Sequence, residues 1–532
     1  MQTSLPGRYA LVAPPPTPNG DLHVGHLSGP YLGVDVLARY LKLRGHEVVT
    51  ALGVDLNQTY VVTTAERLGC VPRELADSSH AEIQDTLRAA GIGFDIVGMP
   101  DAPYQAYVRG WFERMHAAGV FQYRRREVPF DPKRERFLFE SYASGWCPVC
   151  IASTKGNVCE ACGHGNDARE LIGLHPSGGQ PGDPLTAREV GEYVFDIEAW
   201  REPLVRHLRG TIPEIRPALR RLLDEMLVKR LPAFPITFPS SWGIPAPFPG
   251  SAGLVLNVWA EMVPGHYHWL NQASRQAGGA DMVSGPQAPT RYCQFLGFDN
   301  SFFYVVAHLA LALAARQHGL DALLPEAFIT NEFLQLENYK FSTSQGHLIW
   351  GRDLLKEEDR DDVRFYLSWV NPEYNQSNFT RDDFRRVSQA KLREPLGRFI
   401  DALSRSGVAG AAPEASGAAL AVQARFQSAY EPARPSLRIA AQTLTNSLDL
   451  GLRLLARGAS PGQMRAFTQA LAAGAAPIVP AVAGQLWDAA GERGPVRWPQ
   501  QPASGAATTT EPPDGRQERE PRVKKKLHAD HL

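Results

Sequence analysis

Tyr9-Ala10-Leu11-Val12-Ala13, Pro14-Pro15-Pro16-Thr17-Pro18-Asn19-Gly20, His23-Val24-Gly25-His26 and Glu47-Val48-Val49-Thr50-Ala51-Leu52-Gly53 are the segments that decide the fold. The first is an apolar run of strand length and the second a rigid turn. The third opens helix-compatible sequence that continues to Arg44, where Gly45 closes it. The fourth reads as a second strand leading to Asp55. Strand, helix and strand in this order predict a parallel-sheet unit with the helix N-terminus at the carboxyl edge of the sheet.

At such an edge the backbone N–H groups favour an anion. His23 and His26, three apart, share a helix face and can donate to one phosphate. Gly25 between them is expected to let the ligand approach closely. Far along the chain, Lys340-Phe341-Ser342-Thr343-Ser344 offers a cation and hydroxyls suited to the same kind of ligand.

The block Pro18-Asn19-Gly20-Asp21-Leu22-His23-Val24-Gly25-His26-Leu27 resembles the HIGH signature of class I aminoacyl-tRNA synthetases. Lys340 to Ser344 resembles their KMSKS loop, in the order and separation of that family. The resemblance implies that His23, His26 and Lys340 are catalytic. They would stabilise the pentavalent α-phosphate of ATP while an amino-acid carboxylate displaces pyrophosphate, with no covalent intermediate on the protein. It also implies an ATP site completed by Gly20, Gly25, Gly297, Asp299, Ser342, Thr343 and Ser344. Mg2+ is expected with ATP, held largely by phosphates and water.

Cys147-x-x-Cys150 and Cys159-x-x-Cys162 are two knuckles separated by eight residues, a spacing suited to a tetrahedral four-thiolate Zn2+ site. Six cysteines in 532 residues, with no N-terminal signal or long apolar span, fit a reducing cytoplasm and no membrane. Four thiolates leave no open position for a substrate, so the zinc is expected to be structural. Cys70 and Cys293 lie alone and are expected as buried hydrophobes.

Further stretches extend the resemblance to methionyl-tRNA synthetases over most of the chain. Trp242-Gly243-Ile244-Pro245 is similar to the segment where that family's chain re-enters its catalytic domain. Val258-Trp259 opens a block similar to VW(F/L)DAPIGY, and Phe295-Leu296-Gly297-Phe298-Asp299 is similar to F-I-G-K-D. Ala476-Pro477-Ile478-Val479-Pro480 and Gln485-Leu486-Trp487 resemble the closing helix of its α-helical domain. The implied fold is α/β: a Rossmann-like parallel-sheet catalytic domain, an inserted zinc-knuckle connective peptide and a C-terminal α-helical, anticodon-binding-like domain.

The expected boundaries are 1–115 and 236–360 for the two catalytic halves, 116–235 for the insertion and 361–498 for the helical region. Within the last, a helical run from Phe384 to Leu403, a small-residue linker from Ser404 to Ala421 and two long helices up to Ala490 are expected. The tail, 499–532, is expected to be disordered, with Lys524-Lys525-Lys526 as a solvated end.

The departures from the family pattern bear on the substrate. The resemblance implies an amino-acid pocket of Thr17, Asp55, Trp259, Met262, Val263, His266, Asn300 and Tyr304. Only Asp55, expected to hold the substrate ammonium, and Trp259 match the methionine enzyme. Thr17 stands for a tyrosine. Glu261, Met262, Val263 and His266 replace the Asp, Ala, Pro and Tyr of DAPIGY, while Asn300 and Tyr304 replace an isoleucine and a histidine. Such swaps rebuild a pocket that selects by apolar fit, so methionine is not the expected preferred substrate.

Thr343 takes the place of the second loop lysine, a change that commonly costs about 100-fold in rate. Asp55-Leu56-Asn57-Gln58 stands for D-E-H-G. The anticodon-reading positions read Leu396-Gly397-Arg398-Phe399-Ile400-Asp401 and Pro461-Gly462, without the family's asparagine and stacking tryptophan. Gly265-His266-Tyr267-His268 contains an H-x-H pair that would share a face on a strand. No acidic residue or cysteine follows at useful spacing, so pocket lining rather than a second metal is expected.

A net charge of −1 gives no global basic footprint, although a tRNA-binding face needs only local positive potential. Three readings stay open from the sequence. One is adenylation followed by transfer to tRNA, with the anticodon-reading residues altered. Another is adenylation followed by transfer to a small molecule or carrier, with a separate metalloprotein as partner. The third is a non-catalytic binding protein. Intact His23, Gly25, His26 and Lys340 argue against the last.

Overall fold

In the computed structural model, residues 7–284, 289–341 and 346–499 are described. Ser342, Thr343, Ser344 and the tail expectation beyond residue 499 lie outside them. The strands β1 (Arg8–Val12), β2 (Glu47–Gly53), β3 (Ile96–Gly98), β4 (Thr290–Gly297) and β5 (Pro325–Asn331) form one sheet. Their order is β5-β4-β1-β2-β3 and every neighbouring pair is parallel. All five residues of β1 are buried, as a central parallel strand covered on both faces requires. The order reverses between β1 and β4, and the carboxyl ends of strands at such a switch point are where open α/β sheets bind ligands.

The segment after β1 differs from the predicted continuous helix. His23 caps a single α-turn, Val24–His26, followed by a π-turn, Leu27–Tyr31, and then the helix Leu32–Leu43. Gly29 is non-helical at φ −93°, ψ −126°, and Pro30 follows it without an N–H, so the ladder breaks there. The dipole of the long helix therefore does not reach the histidines. Gly45 ends the helical run at φ +81°.

Between β3 and β4 the chain builds an antiparallel sheet in which Gln122–Asp131 pairs along Thr186–Asp196. A smaller sheet joins Ala143–Trp146 to Ser153–Lys155 and Ile172–Pro176 and carries the first cysteine knuckle. Cys293 is buried, but Cys70 is exposed, because it follows the left-handed cap at Gly69 in a surface turn.

The C-terminal region is helical, with a different division from the predicted one. Four helices, Gly417–Ala429, Leu437–Ala456, Pro461–Ala475 and Pro480–Ala489, stand where a linker and two long helices were expected. Ser416, Ser436 and Ser460 cap the first three, and prolines at 461 and 480 start new helices instead of continuing old ones. Arg364, 1% exposed, ties this region to the sheet. It donates to the carbonyls of Pro477 and Ile478, each at 2.8 Å, and to Asp35 Oδ2 at 2.7 Å.

Among the described residues one helical stretch, Phe298–Gln317, is long and apolar enough to cross a membrane, contrary to the sequence reading. In this fold 83% of its apolar window is buried inside the protein, as a core helix would be.

Candidate active site

At the switch point lies a cleft of about 450 Å³. Its walls come from the turn after β1 (Thr17, Gly20), the histidine turn (His23, Gly25, His26), Asp55 after β2, and Gly297, Asp299 and Asn300 at the end of β4. Trp259 and Met262 come from the helix Val258–Gln276, and Lys340 and Phe341 from a hairpin. Chain reversal at each strand end thus gathers residues that are hundreds of positions apart.

His23 and His26 stack with ring centroids 3.7 Å apart. Each backbone N–H is bonded by the other's ring: His26 N donates to His23 Nδ1 at 3.3 Å, and His23 N donates to His26 Nδ1 at 3.2 Å. Both Nδ1 atoms are acceptors, which places the proton of each neutral ring on Nε2. Desolvation by the surrounding protein pushes His23 well below its ordinary value, with His26 and Lys340 adding to the shift, and lowers His26 to about 4 although that residue is open to solvent in the cleft. Two neutral imidazoles thus keep Nε2–H donors at neutral pH.

The space at Gly25 is used differently from the expectation. A Cβ there would lie 3.0 Å from the His23 ring and 3.1 Å from Phe341, so the glycine makes room for the protein's own rings. Phe341 stacks on His23 at 4.7 Å, which joins the lysine segment to the histidine turn. Lys340 stands on the strand Tyr339–Lys340, opposite Gln335. The intervening turn has φ +50° at Glu337 and +69° at Asn338, the backbone of a two-residue hairpin. The lysine is ion-paired with Glu160 and lies over the Phe333 ring at 5.4 Å.

Asp55 lines the cleft, and two further buried carboxyl groups, Glu140 and Glu261, lie behind it close enough to act on its charge. Burial, then Glu261 and Glu140, raise Asp55 well above the usual carboxylate range, against a hydrogen bond from Gln58. Burial also pushes Glu140 and Glu261 up to about 7. Glu261 accepts from Asn57 Nδ2 at 2.8 Å and from the Tyr104 hydroxyl at 3.0 Å. Among the described residues none of the three has a Lys or Arg ion-pair partner. Asp299 is pushed up to about 6, again by burial, and is held by backbone N–H groups. This wall suits a cationic group from a ligand.

Val263, His266 and Tyr304 do not line the cleft. The first two lie deeper along the helix Val258–Gln276, and Tyr304 is fully buried. The H-x-H pair is helical, so His266 bonds Tyr304 Oη at 3.2 Å while His268 faces the ring of Tyr107.

Gln58 of the altered D-E-H-G stretch lines the cleft, and so do Lys155, Tyr31 and Tyr60, which the sequence did not single out. Lys155 Nζ bonds Ser144 Oγ at 2.7 Å and Ser177 Oγ at 3.0 Å. Its position four residues before Cys159 carries no motif; only the fold brings that strand to the cleft.

The Sγ atoms of Cys147, Cys150, Cys159 and Cys162 all lie within 4.8 Å of one another. Cys147–Cys162 is 3.8 Å and Cys150–Cys159 is 3.5 Å. A regular tetrahedron with Zn–S of about 2.3 Å has edges of about 3.8 Å, so the four thiols fit zinc. The Val149 N–H points to Cys147 Sγ at 3.4 Å, as a knuckle that stabilises a thiolate does.

In the helical region Arg398 and Asp401 are exposed on the helix Glu394–Ser404. Gly462 is buried, and a Cβ there would come within 2.5 Å of the Ala412 carbonyl oxygen. A stacking indole has no room at that position.

A family model described as tRNA synthetases class I (M) matches residues 10–404. A methionine–tRNA ligase of Chlorobium limicola is 28% identical over 394 residues, covering 72% of this chain and 56% of the relative. That of Caldivirga maquilingensis is 31% identical over 382 residues, covering 71% and 65%. The chain therefore matches between half and two thirds of the length of these two curated relatives. A structure of Mycobacterium tuberculosis methionyl-tRNA synthetase in complex with methionyl-adenylate superposes with a TM-score of 0.67 at 18% identity, covering 91% of this chain and 93% of that one. At that identity the likeness is one of fold.

Proposed function

The chain belongs to the class I tRNA synthetases of the methionyl type, and from that membership we propose that its cleft activates an amino acid with ATP. The observation that carries this reading is the stacked pair His23 and His26, with Nδ1 atoms engaged and Nε2–H donors left over, in one cleft with Lys340 and with Asp55, which has no Lys or Arg ion-pair partner among the described residues. Asp55 binds the substrate ammonium. A carboxylate oxygen attacks the α-phosphorus of ATP, the bond to the bridging oxygen breaks, and pyrophosphate leaves with the electron pair. Charge that builds on the α-phosphoryl oxygens is met by the two imidazole N–H donors, held by their Nδ1 contacts, and by the Lys340 ammonium once the triphosphate displaces Glu160 from it. Mg2+ bound with ATP would neutralise phosphate charge, held largely by the phosphates and water. Gly20, Gly25, Gly297 and Asp299 shape the nucleotide side, and the four cysteines hold a structural Zn2+.

The activated acyl group then passes to a terminal ribose hydroxyl of tRNA, as the relatives' names support. Gly462, with no space for an indole, supports a second reading in which the acceptor is a small molecule or carrier. Exchange of labelled pyrophosphate into ATP with a mixture of amino acids tests the first step, and aminoacylation of total tRNA tests the second. Exchange without tRNA charging selects the second reading; no exchange refutes activation altogether.

A further inference from the structure

We propose that the amino acid taken by this cleft has a short side chain, that of glycine, alanine or serine, because Met262 fills the space a longer one would need. The inference rests on the cleft being an activation site and adds the class of substrate. Binding there fixes three directions at the α-carbon. The ammonium goes to Asp55, the carboxylate goes towards the nucleotide beside His23 and His26, and the side chain is left to face Trp259, Met262 and Asn300, which close that part of the cleft.

This wall has no slack behind it. Met262 is 5% exposed and its Sδ lies 3.9 Å from the Tyr304 hydroxyl. Tyr304 is fully buried and held by His266 Nε2 at 3.2 Å. Trp259 is stacked on Phe303 with centroids 3.9 Å apart and planes 9° from parallel. The void bordered by Val263, His266, Tyr292 and His308 is about 10 Å³, which admits a single water at most. Methionine is adaptable, but Met262 is packed against Tyr304, which is itself fully buried and hydrogen-bonded. The protein's own thioether thus occupies the pocket, and a second thioether is shut out by volume.

Pyrophosphate exchange is measured with glycine, alanine, serine, valine, leucine and methionine one at a time. One of the three small amino acids is expected to exceed methionine in kcat/KM by about 100-fold, as a few unaccommodated methylenes allow. Met262→Ala removes the plug and should lower that ratio at least about ten-fold, whereas Met262→Leu, which keeps the bulk, should preserve it. A preference of the unaltered protein for methionine or leucine overturns the inference and leaves activation standing. So does an unchanged ratio in folded Met262→Ala, and if that variant does not fold the preference of the unaltered protein decides alone. Absence of exchange with every amino acid strikes activation itself and the inference with it.

Discussion

Lys340 of the hairpin is ion-paired with Glu160, the residue between Cys159 and Ala161 in the second cysteine knuckle. The cation expected to meet the triphosphate is therefore held by the inserted module that carries the four-cysteine cluster. Both side chains are about half exposed, so the pair is a weak one that a triphosphate can displace.

Glu160→Gln removes the competing carboxylate. The KM for ATP in pyrophosphate exchange should fall up to about 5-fold, the equivalent of an exposed ion pair of about 1 kcal/mol. An unchanged or raised KM would show that Glu160 does not compete for the lysine.

Replacing either histidine of the stacked pair removes one N–H donor from the developing charge. His23→Asn and His26→Asn should each lower kcat of exchange by about 100- to 1,000-fold while the fold persists. Retention of more than about a tenth of the rate in both variants would remove the imidazoles from the transition state.

Asp35 carries the buried guanidinium of Arg364 and also the Arg39 side chain at 2.8 Å. Asp35→Ala leaves the Arg364 charge buried without its partner and should cost about 3–5 kcal/mol in urea unfolding. A loss below about 1 kcal/mol would mean that the carbonyls of Pro477 and Ile478 suffice for that charge.

Glu261 titrates near 7 in the fold, against an ordinary value of 4.5. Raised in the folded state, it binds its proton more tightly there, so its contribution to stability is complete below 4.5 and is lost as pH rises through 7. Glu261→Gln keeps an acceptor for Tyr104 and Asn57 and removes the titration, so it should gain up to about 3 kcal/mol relative to the unaltered protein above pH 7 and little at pH 4.5. Parallel stability curves for the two proteins from pH 4.5 to 8 would contradict that assignment.

The order of strand and turn around β1 and β2 was legible because Tyr9–Ala13 and Glu47–Gly53 are apolar runs bounded by Pro, Gly and Asn, and local chemistry alone sets such boundaries. The cysteine spacing was legible for the same reason. The break at Gly29-Pro30 was readable in principle, since proline always interrupts the ladder, but a helix-compatible composition on both sides masks it. The four C-terminal helices were blurred by alanine-rich sequence, in which only the Ser caps and prolines mark the ends.

What the sequence determined by itself was the strand order around β1 and β2, the cysteine knuckles and the presence of the two short motifs, because each depends on residues adjacent in the chain. Which side chains face the cleft was decided only by tertiary structure. Met262, Val263 and His266 lie on one helix with compatible periodicity, yet only Met262 reaches the wall, while His266 is turned inward to Tyr304 and Val263 is buried in the core. The same holds for Lys155 and Glu160, brought to the cleft by an insertion folded through its own core. Burial is set by what packs across a face from distant parts of the chain, and no local pattern carries that information.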